Sequence, residues 1–225
     1  MKRGHWQILL AAALFLLALG LTLYPVVSNW YIGRHQSRIQ TEYREVLEQT
    51  DSAEIESIRE SAVAYNKTIT PGAAEEAYSQ ESIRLAAEDY VNQLSVSGIG
   101  IMGYVEIPKI GVNLPIYHGT GADSLDRGTG HLLGSSLPVG GESTHTIITG
   151  HSGMASQKMF TDLEQLRERD IFYLHVLDET LAYEVREIHT VLPHDTTYLG
   201  IEPGEDLCTL VTCTPTGVNL SLIHI

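Results

Sequence analysis

The sequence is poor in basic residues and in cysteine. Of its 225 residues only 14 are Lys or Arg, against 28 Asp or Glu, and the formal net charge is −14. Lys2 and Arg3 precede a long apolar run, so the rest of the chain carries a net charge of −16. A surface this acidic repels phosphate backbones, and we therefore expect no nucleic-acid partner. The sequence also lacks internal repeats and a glycine-rich loop that could hold a phosphate.

Only two cysteines are present, Cys208 and Cys213. Their spacing of five places the two thiols on opposite faces of one strand, since side chains alternate along a strand. A disulfide between them would require the strand to break, because disulfide geometry is demanding. We therefore expect two free thiols: Cys208 as a buried, inert residue and Cys213 as a reactive one.

An uncharged run, WQILLAAALFLLALGLTLYPVV, occupies residues 6–27. Its length matches the ~20 residues that cross a bilayer as a helix. Because Lys2 and Arg3 precede the run, residues 1–5 should stay in the cytoplasm and the chain after the run should lie outside it. A cleaved signal peptide is the alternative, but its apolar core is normally shorter and ends at a small-x-small site. We therefore predict an uncleaved signal anchor in the cell membrane.

Two segments of different amino-acid composition follow the apolar run. Residues 28–100 are polar, with a thin apolar stripe that is typical of a solvated helical stalk or a lid-like region. Residues 101–225 consist of short runs rich in Val, Ile, Tyr and Thr, divided by Gly and Pro. Such runs predict a mainly β domain, either a barrel or a sandwich.

Three local elements can also be predicted. Thr70-Pro71-Gly72 breaks the first helical stretch, and a second helix is expected from Ala73 to about Asn92. Residues 157–168 are interpreted as a short amphipathic helix. A hairpin turn is expected at Asp178-Glu179-Thr180.

Two chemically useful residues come at predicted strand ends. Cys213 ends the strand DLCTLVT, because the following Thr214-Pro215 cannot continue a central ladder. Only a thiolate attacks, so a base or a positive group must lie nearby. His151 follows the strand HTIIT in a Gly-rich turn, and two strand-end residues at one rim of a sheet can face each other. From spacing alone, the catalytic and the structural interpretation of His151 both stay open.

A metal site is the alternative use of these residues. His145 and His151 lie six residues apart, and Cys213 would be a third ligand. Zinc sites usually contain tighter pairs, such as Cys-x-x-Cys or His-x-x-x-His, and neither pair occurs here. We therefore expect no metal and no cofactor. The remaining histidines that we interpret as surface or structural residues are His118, His131, His175, His189 and His194.

Three segments together resemble the sortases, the cysteine transpeptidases of Gram-positive surfaces: TIITGHSG, TLVTCTPTGVN and MGYVEIPKIGVNLPIYHG. The resemblance covers about residues 24–219 and is closest to class C, the pilus-building type. It implies a closed eight-stranded β-barrel. It also implies that Cys213 attacks the Thr carbonyl of a Leu-Pro-x-Thr-Gly-like sorting signal on a pilin or another surface protein, and that His151 transfers protons. An amine, from a pilin lysine or a cell-wall precursor, then resolves the thioester.

The sequence departs from the class C pattern in its last residues. An Arg normally follows the Cys by about nine residues and supports the developing oxyanion, but that position is Leu222 here. A second membrane helix normally follows, and it is absent. We expect that the catalytic domain is C-terminally truncated, that its last strand is missing, and that the sequence after Asn219 is not authentic.

A second departure concerns the lid. Class C sortases often carry an Asp-Pro-aromatic motif upstream of the barrel, and residues 66–100 contain no Asp-Pro pair. A variant without a lid is therefore one interpretation.

The resemblance favours a transpeptidase that joins surface proteins, with pilins as the expected substrates. One alternative keeps the chemistry and anchors proteins to peptidoglycan instead. A second alternative is an inactive, membrane-anchored β domain that binds sorting signals without cutting them, and Leu222 is its support.

Overall fold

A computed structural model describes residues 2–70, 72, 89–154, 157–192, 195–215 and 221–225. Its α-helices are α1 (Lys2–Gln49), α2 (Ser52–Asn66) and α3 (Ala122–Leu125). Its strands are β1 (Gly103–Ile107), β2 (Val112–His118), β3 (Thr129–His131), β4 (Thr144–Thr149), β5 (Ile171–Val176), β6 (Glu179–Glu184), β7 (His189–Val191), β8 (Asp206–Thr214) and β9 (Ser221–His224). The predicted order, helices followed by a mainly β domain, is confirmed.

The nine strands form one curled sheet in the order β6-β5-β1-β2-β3-β4-β8-β9-β7. Strands β6 and β7 lie at opposite edges of that order, yet only residues 185–188 join them. Four residues span a short distance, so the two edges must approach each other and the sheet must curl like a barrel. Within the described residues the count is nine, and not the expected eight, because residues 179–191 contribute one strand to each edge.

The prediction that the last strand is missing is wrong. Strand β9 pairs with β8 on one side and with β7 on the other. Ile223 and Ile225 are buried, and Leu210 and Ile225 exchange both backbone hydrogen bonds, at 2.8 and 3.1 Å. The alternation of apolar residues at 223 and 225 is enough to hold this segment in the sheet, because a buried face specifies the register of a strand.

Two local predictions need correction. Residues 157–168 form turns around a single 3-10 turn, Leu163–Gln165, and not an amphipathic helix. The apolar residues of the predicted helix are nevertheless buried: Met159, Phe160, Leu163 and Leu166. The β5–β6 hairpin exists, but its turn is Leu177-Asp178, because Val176 already pairs with Glu179.

The segment after the apolar run is helical, as predicted, but it packs on the sheet and does not stand free in solvent. In α1, Tyr43 is 1% exposed, and its hydroxyl donates to the Met102 carbonyl at 3.0 Å. The same hydroxyl accepts from the Leu177 backbone N–H at 2.9 Å. In α2, Ile55 and Ala62 are buried. The thin apolar stripe did not indicate this contact, because Gln36, Gln40 and Tyr43 are buried and none of them belongs to that stripe.

The apolar run forms the N-terminal half of α1. Its large side chains are exposed, for example Trp6, Phe15 and Leu21. Among the described residues, α1 is the helix that is long and apolar enough to cross a membrane. The predicted helix from Ala73 to about Asn92 lies outside the described residues except at its end, where residues 89–91 are helical.

Candidate functional site

The two residues predicted to carry chemistry lie at the ends of neighbouring parallel strands, His151 just after β4 and Cys213 in the last residues of β8. Strands β4 and β8 pair in parallel, and their last paired residues are Thr149 and Val211. His151 and Cys213 each come two residues later in the chain. Neighbouring strands lie ~4.8 Å apart, and residues at matched positions of a parallel pair share a face. The register therefore brings the imidazole and the thiol to the same rim of the sheet, which we call the site rim.

Three hydrogen bonds extend the contact beyond the paired strands. The Gly150 N–H donates to the Val211 carbonyl at 3.0 Å. The Thr212 hydroxyl donates to the Gly150 carbonyl at 2.7 Å, and the Ser152 hydroxyl donates to the Cys213 carbonyl at 2.6 Å. We call the two hydroxyl bonds the hydroxyl clasp. These two bonds join the residues on either side of His151 to Thr212 and Cys213. The clasp therefore fixes the turn after β4 relative to the end of β8.

The turn that carries His151 is also held in place by Phe160. A Cβ at Gly150 would lie 2.6 Å from the Phe160 ring, which is fully buried. The Phe160 N–H donates to the His151 carbonyl at 2.9 Å. Position 150 therefore needs a glycine because the Phe160 ring approaches it closely, and the backbone of His151 is bonded to the same residue.

Asp126 is a neighbour of the imidazole that the sequence did not reveal. Its Oδ1 lies 3.8 Å from His151 Nε2, and the side chains of His151 and Asp126 are 37% and 64% exposed. Pairs this exposed stabilise a fold little, ~0–1 kcal/mol, because water screens them. Asp126 is held by its backbone, whose carbonyl accepts from Gln157 Nε2 at 2.8 Å. Its position allows it to favour one orientation of the ring.

The two cysteines are both partly buried, so side-chain exposure does not separate them. Both are free thiols. Burial, followed by the charge of Asp206, raises the pKa of the Cys208 thiol. Cys208 lines a cavity of about 550 Å³ near the start of β8, whereas Cys213 lies near the end of that strand. A raised thiol pKa leaves little thiolate at neutral pH, so Cys208 is unsuited to nucleophilic chemistry.

His145 does not join the other two candidate ligands. Its Nδ1 lies 2.7 Å from the Gly200 carbonyl and its Nε2 lies 2.7 Å from the Thr209 hydroxyl, so both ring nitrogens have partners. Burial also lowers the pKa of His145. Within the described part of the chain, no group of three or more His, Cys, Asp or Glu side chains could hold a metal ion.

His131 is a structural residue, as the sequence suggested. It is fully buried, and its ring nitrogens contact the Tyr90 hydroxyl at 2.9 Å and the Ser136 carbonyl at 2.8 Å. Burial lowers its pKa to about 4. The Tyr90 hydroxyl also accepts from the Gly119 N–H at 2.9 Å, so this cluster attaches the segment around residue 90 to the sheet. The ring is neutral at pH 7 and takes no part in the site. His194 lies outside the described residues.

Leu222 lies directly opposite the candidate nucleophile. In the antiparallel β8–β9 pair, the partner of Cys213 is Leu222. Side chains of directly opposite residues share a face, with Cβ atoms ~4.5–5.5 Å apart. Leu222 packs instead on an apolar cluster of Ile147, Leu199 and Val211. The position at which the resemblance expects an arginine is therefore beside the thiol, and it carries no hydrogen-bond donor.

The fold and the site together define a β-barrel-like domain that carries a cysteine and a histidine on neighbouring strands, and an apolar helix precedes this domain. The chain belongs to the sortase family, because the family model described as the sortase domain matches residues 105–221. Sortases are cysteine transpeptidases. The predicted relation to class C is confirmed by solved structures of pilus-related sortases C.

Three relatives illustrate the similarity. The chain is 42% identical to a structure of Streptococcus pneumoniae sortase C that addresses pilin substrate specificity, with a TM-score of 0.73, covering 83% of this chain and 93% of that one. A pilus-related sortase C of Group B Streptococcus is 37% identical, with a TM-score of 0.73, covering 82% and 93%. Sortase A of Streptococcus agalactiae is 25% identical over 220 residues, covering 96% of this chain and 82% of the relative.

Sequence reasoning found the thiol and the imidazole but missed Asp126, Ser152 and Thr212. Ser152 and Thr212 each adjoin a candidate residue in the chain, and that adjacency was the available signal. No such signal existed for Asp126, because it lies 25 residues before His151 in the sequence. The segment in which a lid was sought lies largely outside the described residues, since 73–88 are not described.

Loss of the hydroxyl clasp is expected to slow the reaction without unfolding the domain. Ser152→Ala or Thr212→Val removes one bond worth ~0.5–1.5 kcal/mol. Small misplacements of reacting groups can cost up to ~10²-fold in rate, so we expect kcat to fall about tenfold with KM nearly unchanged. Steady-state kinetics on a sorting-signal peptide measures this.

Ser152→Thr is the matched control, because it keeps the hydroxyl and should keep most of the activity. A lower unfolding temperature in Ser152→Ala with unchanged kcat would show that the clasp serves stability alone.

Proposed function

We propose that this chain is a membrane-anchored sortase of the class C type, which cleaves a Leu-Pro-x-Thr-Gly-like sorting signal between Thr and Gly and transfers the new acyl group to an amine. The observation that carries the proposal is the pairing of β4 with β8, which brings His151 and Cys213 to one rim. Cys213 is partly exposed there, as a nucleophile that meets an extended peptide must be.

The proposed first step is acylation of Cys213. Its thiolate attacks the Thr carbonyl, a C–S bond forms, and the tetrahedral intermediate collapses with loss of the C–N bond. The imidazolium of His151 gives its proton to the departing Gly amine, which leaves a thioester on Cys213. A covalent intermediate divides one difficult amide exchange into two easier acyl transfers.

The proposed second step releases the product. An incoming amine attacks the thioester carbonyl, loses a proton to the neutral imidazole of His151, and displaces the Cys213 thiolate. The clasp supports both steps, because it holds the proton carrier beside the same sulfur throughout. The acidic surface of the domain suits a cationic acceptor such as a pilin lysine better than an anionic one.

We assign residues 1–5 to the cytoplasm, 6–27 to the membrane span, 28–100 to a helical region and 101–225 to the catalytic domain outside the cell. The exposed apolar half of α1 supports the span, and the start of β1 at Gly103 supports the domain boundary. Lys2 and Arg3 support the orientation. The sorting signal would then reach the site from outside the cytoplasm.

The function is tested with the full chain in detergent and a fluorogenic Leu-Pro-x-Thr-Gly peptide. Mass spectrometry should find cleavage between Thr and Gly, and an added lysine peptide should yield the Thr–lysine isopeptide. Transfer to a cell-wall precursor peptide in preference to lysine would favour the peptidoglycan-anchoring role. Absence of any cleavage by the complete chain under prolonged incubation would rule out the enzymatic proposal.

One observation favours a second candidate, an inactive domain that binds sorting signals. Leu222 occupies the position opposite Cys213 and supplies no donor to a developing oxyanion. Removal of one such donor typically costs ~10²–10³ in rate. Peptide binding without a detectable thioester would identify this role.

A further inference from the structure

Helix α1 continues without interruption from the apolar run to the catalytic domain. It is one helix from Lys2 to Gln49, and its internal proline, Pro25, lies within the run. Pro25 can bend the span, but no proline follows it in α1. The direction in which α1 crosses the domain therefore sets the direction from which the membrane approaches, provided that residues 6–27 span it as proposed above.

The first contact of α1 with the domain is at the site rim. Gln36 Nε2 donates to the Arg127 carbonyl at 3.2 Å and lies 3.8 Å from Met159 Sδ. Arg127 follows Asp126, the neighbour of His151. Both residues precede β3, whose Gly130 pairs with Thr149 at the end of β4.

The later contact of α1 is at the opposite rim. Tyr43 contacts Met102, just before β1, and Leu177, in the β5–β6 turn. Strand β1 is antiparallel to β2, β2 is parallel to β3, and β3 is antiparallel to β4, so β1 and β4 run in the same direction. The start of β1 is therefore on the side of the sheet opposite to the end of β4. Passing from Gln36 to Tyr43, α1 thus runs from the site rim to the far rim.

The apolar run must then lie beyond the site rim. Gln36 comes nine positions after Val27, the last residue of the run, and a helix rises 1.5 Å per residue, so the gap is ~14 Å. Headgroups occupy ~5–8 Å on each side of a bilayer core. The site rim is therefore within ~10 Å of the headgroups.

The intervening turns of α1 carry the side chains expected at such a boundary. Trp30 and Tyr31 are exposed, and the Arg34 guanidinium lies 4.3 Å from the centre of the Trp30 ring. Arg38 and Arg127 are also exposed, and the Arg127 guanidinium lies 4.3 Å from the centre of the Tyr117 ring. Aromatic rings and basic groups are enriched at the headgroup level, and this cluster stands out in a chain that is otherwise strongly acidic.

We propose that α1 holds the site rim, with Cys213 and His151, against the membrane surface, and that the basic groups of this rim contact anionic lipid headgroups. The proposal rests on the membrane anchor and not on the activity of the thiol. Its consequence for the proposed function is that the scissile bond is presented at headgroup height, which suits a substrate held in the same membrane.

The test uses the full chain in vesicles of phosphatidylcholine and phosphatidylglycerol that contain a headgroup-attached quencher. Both native cysteines are replaced by alanine, and one fluorescent label is attached either at Glu168→Cys, beside the start of β5 on the site rim, or at Glu142→Cys, before β4 on the far rim. Both positions are exposed. Because this protein lacks Cys213, the result does not depend on catalysis.

The label at position 168 should be quenched at least about threefold more than the label at 142, because α1 rises ~10 Å between its contacts with the two rims. Equal quenching, stronger quenching at 142, or no quenching at either position would overturn the proposal. A helical insertion of eighteen residues after Tyr31 adds five turns and ~27 Å, and should abolish quenching at 168. Quenching that survives this insertion would mean that another surface contacts the lipid, and would also overturn it.

Discussion

Cys213→Ala is expected to lower cleavage of a sorting-signal peptide to the background rate, while Cys208→Ala retains the activity of the parent. The two residues lie on the same strand, β8, so the pair separates the effect of the site from the effect of losing a thiol. Loss of a nucleophile that acts with a neighbouring base costs ~10⁴-fold or more. Cys208 should be dispensable, because burial raises the pKa of its thiol.

Alkylation gives a second measurement of the same difference. Iodoacetamide should modify Cys213 faster than Cys208, because burial raises the pKa of the Cys208 thiol and the thiolate is the form that reacts. Peptide mass spectrometry identifies the modified residue. Cleavage by Cys213→Ala at the rate of the parent would contradict the site assignment. The proximity of Cys213 and His151 would then have no role in catalysis.

The sequence predicted those parts of the fold that depend on local pattern. Strands rich in β-branched residues, the uncharged run and the strand ends before Gly150 and Pro215 were all visible in it. The structure differs from the prediction where contacts between residues far apart in the sequence determine the local conformation. Residues 157–168 have helical spacing, but Phe160 packs against Gly150 and its N–H bonds to His151, so the segment folds around the site. Tertiary contacts of this kind override local propensity.

The candidate site was also predictable only where it depends on local sequence pattern. Cys213 lies in the last residues of a strand and His151 just after one, and both could be named from the chain alone. That β4 and β8 are neighbours, and parallel, is a property of topology that no local pattern encodes. Asp126 and the Gln36–Arg127 contact depend on that topology as well, which is why neither was anticipated.

Leu222→Arg is expected to raise kcat/KM for the sorting-signal peptide by about 10²–10³, the inverse of the cost of losing one oxyanion donor. Position 222 is the strand partner of position 213, so the two side chains share a face of the sheet. A guanidinium there can donate two hydrogen bonds to the oxygen of the tetrahedral intermediate. The substitution removes Leu222 from its apolar cluster, at a cost of about 1–2 kcal/mol, part of which the arginine stem recovers.

Leu222→Lys and Leu222→Gln are matched controls, because they disturb the same apolar cluster. Lysine supplies a charge without the planar fork, and glutamine supplies a neutral donor. The expected order of kcat/KM is Arg above Lys, and Lys above Gln and the parent. Equal rates for all four proteins, with unchanged unfolding temperatures, would show that a donor at this position does not limit the reaction.

Combining Leu222→Arg with Cys213→Ala shows how the gain arises. If the arginine acts on an intermediate that forms on Cys213, its effect must vanish when the thiol is absent, and the double variant should be as inactive as Cys213→Ala alone. Groups that act on one reacting centre are strongly non-additive in this way. A gain that persists without the thiol would mean that the guanidinium promotes direct attack by water, and the thioester route would then not be the source of the added rate.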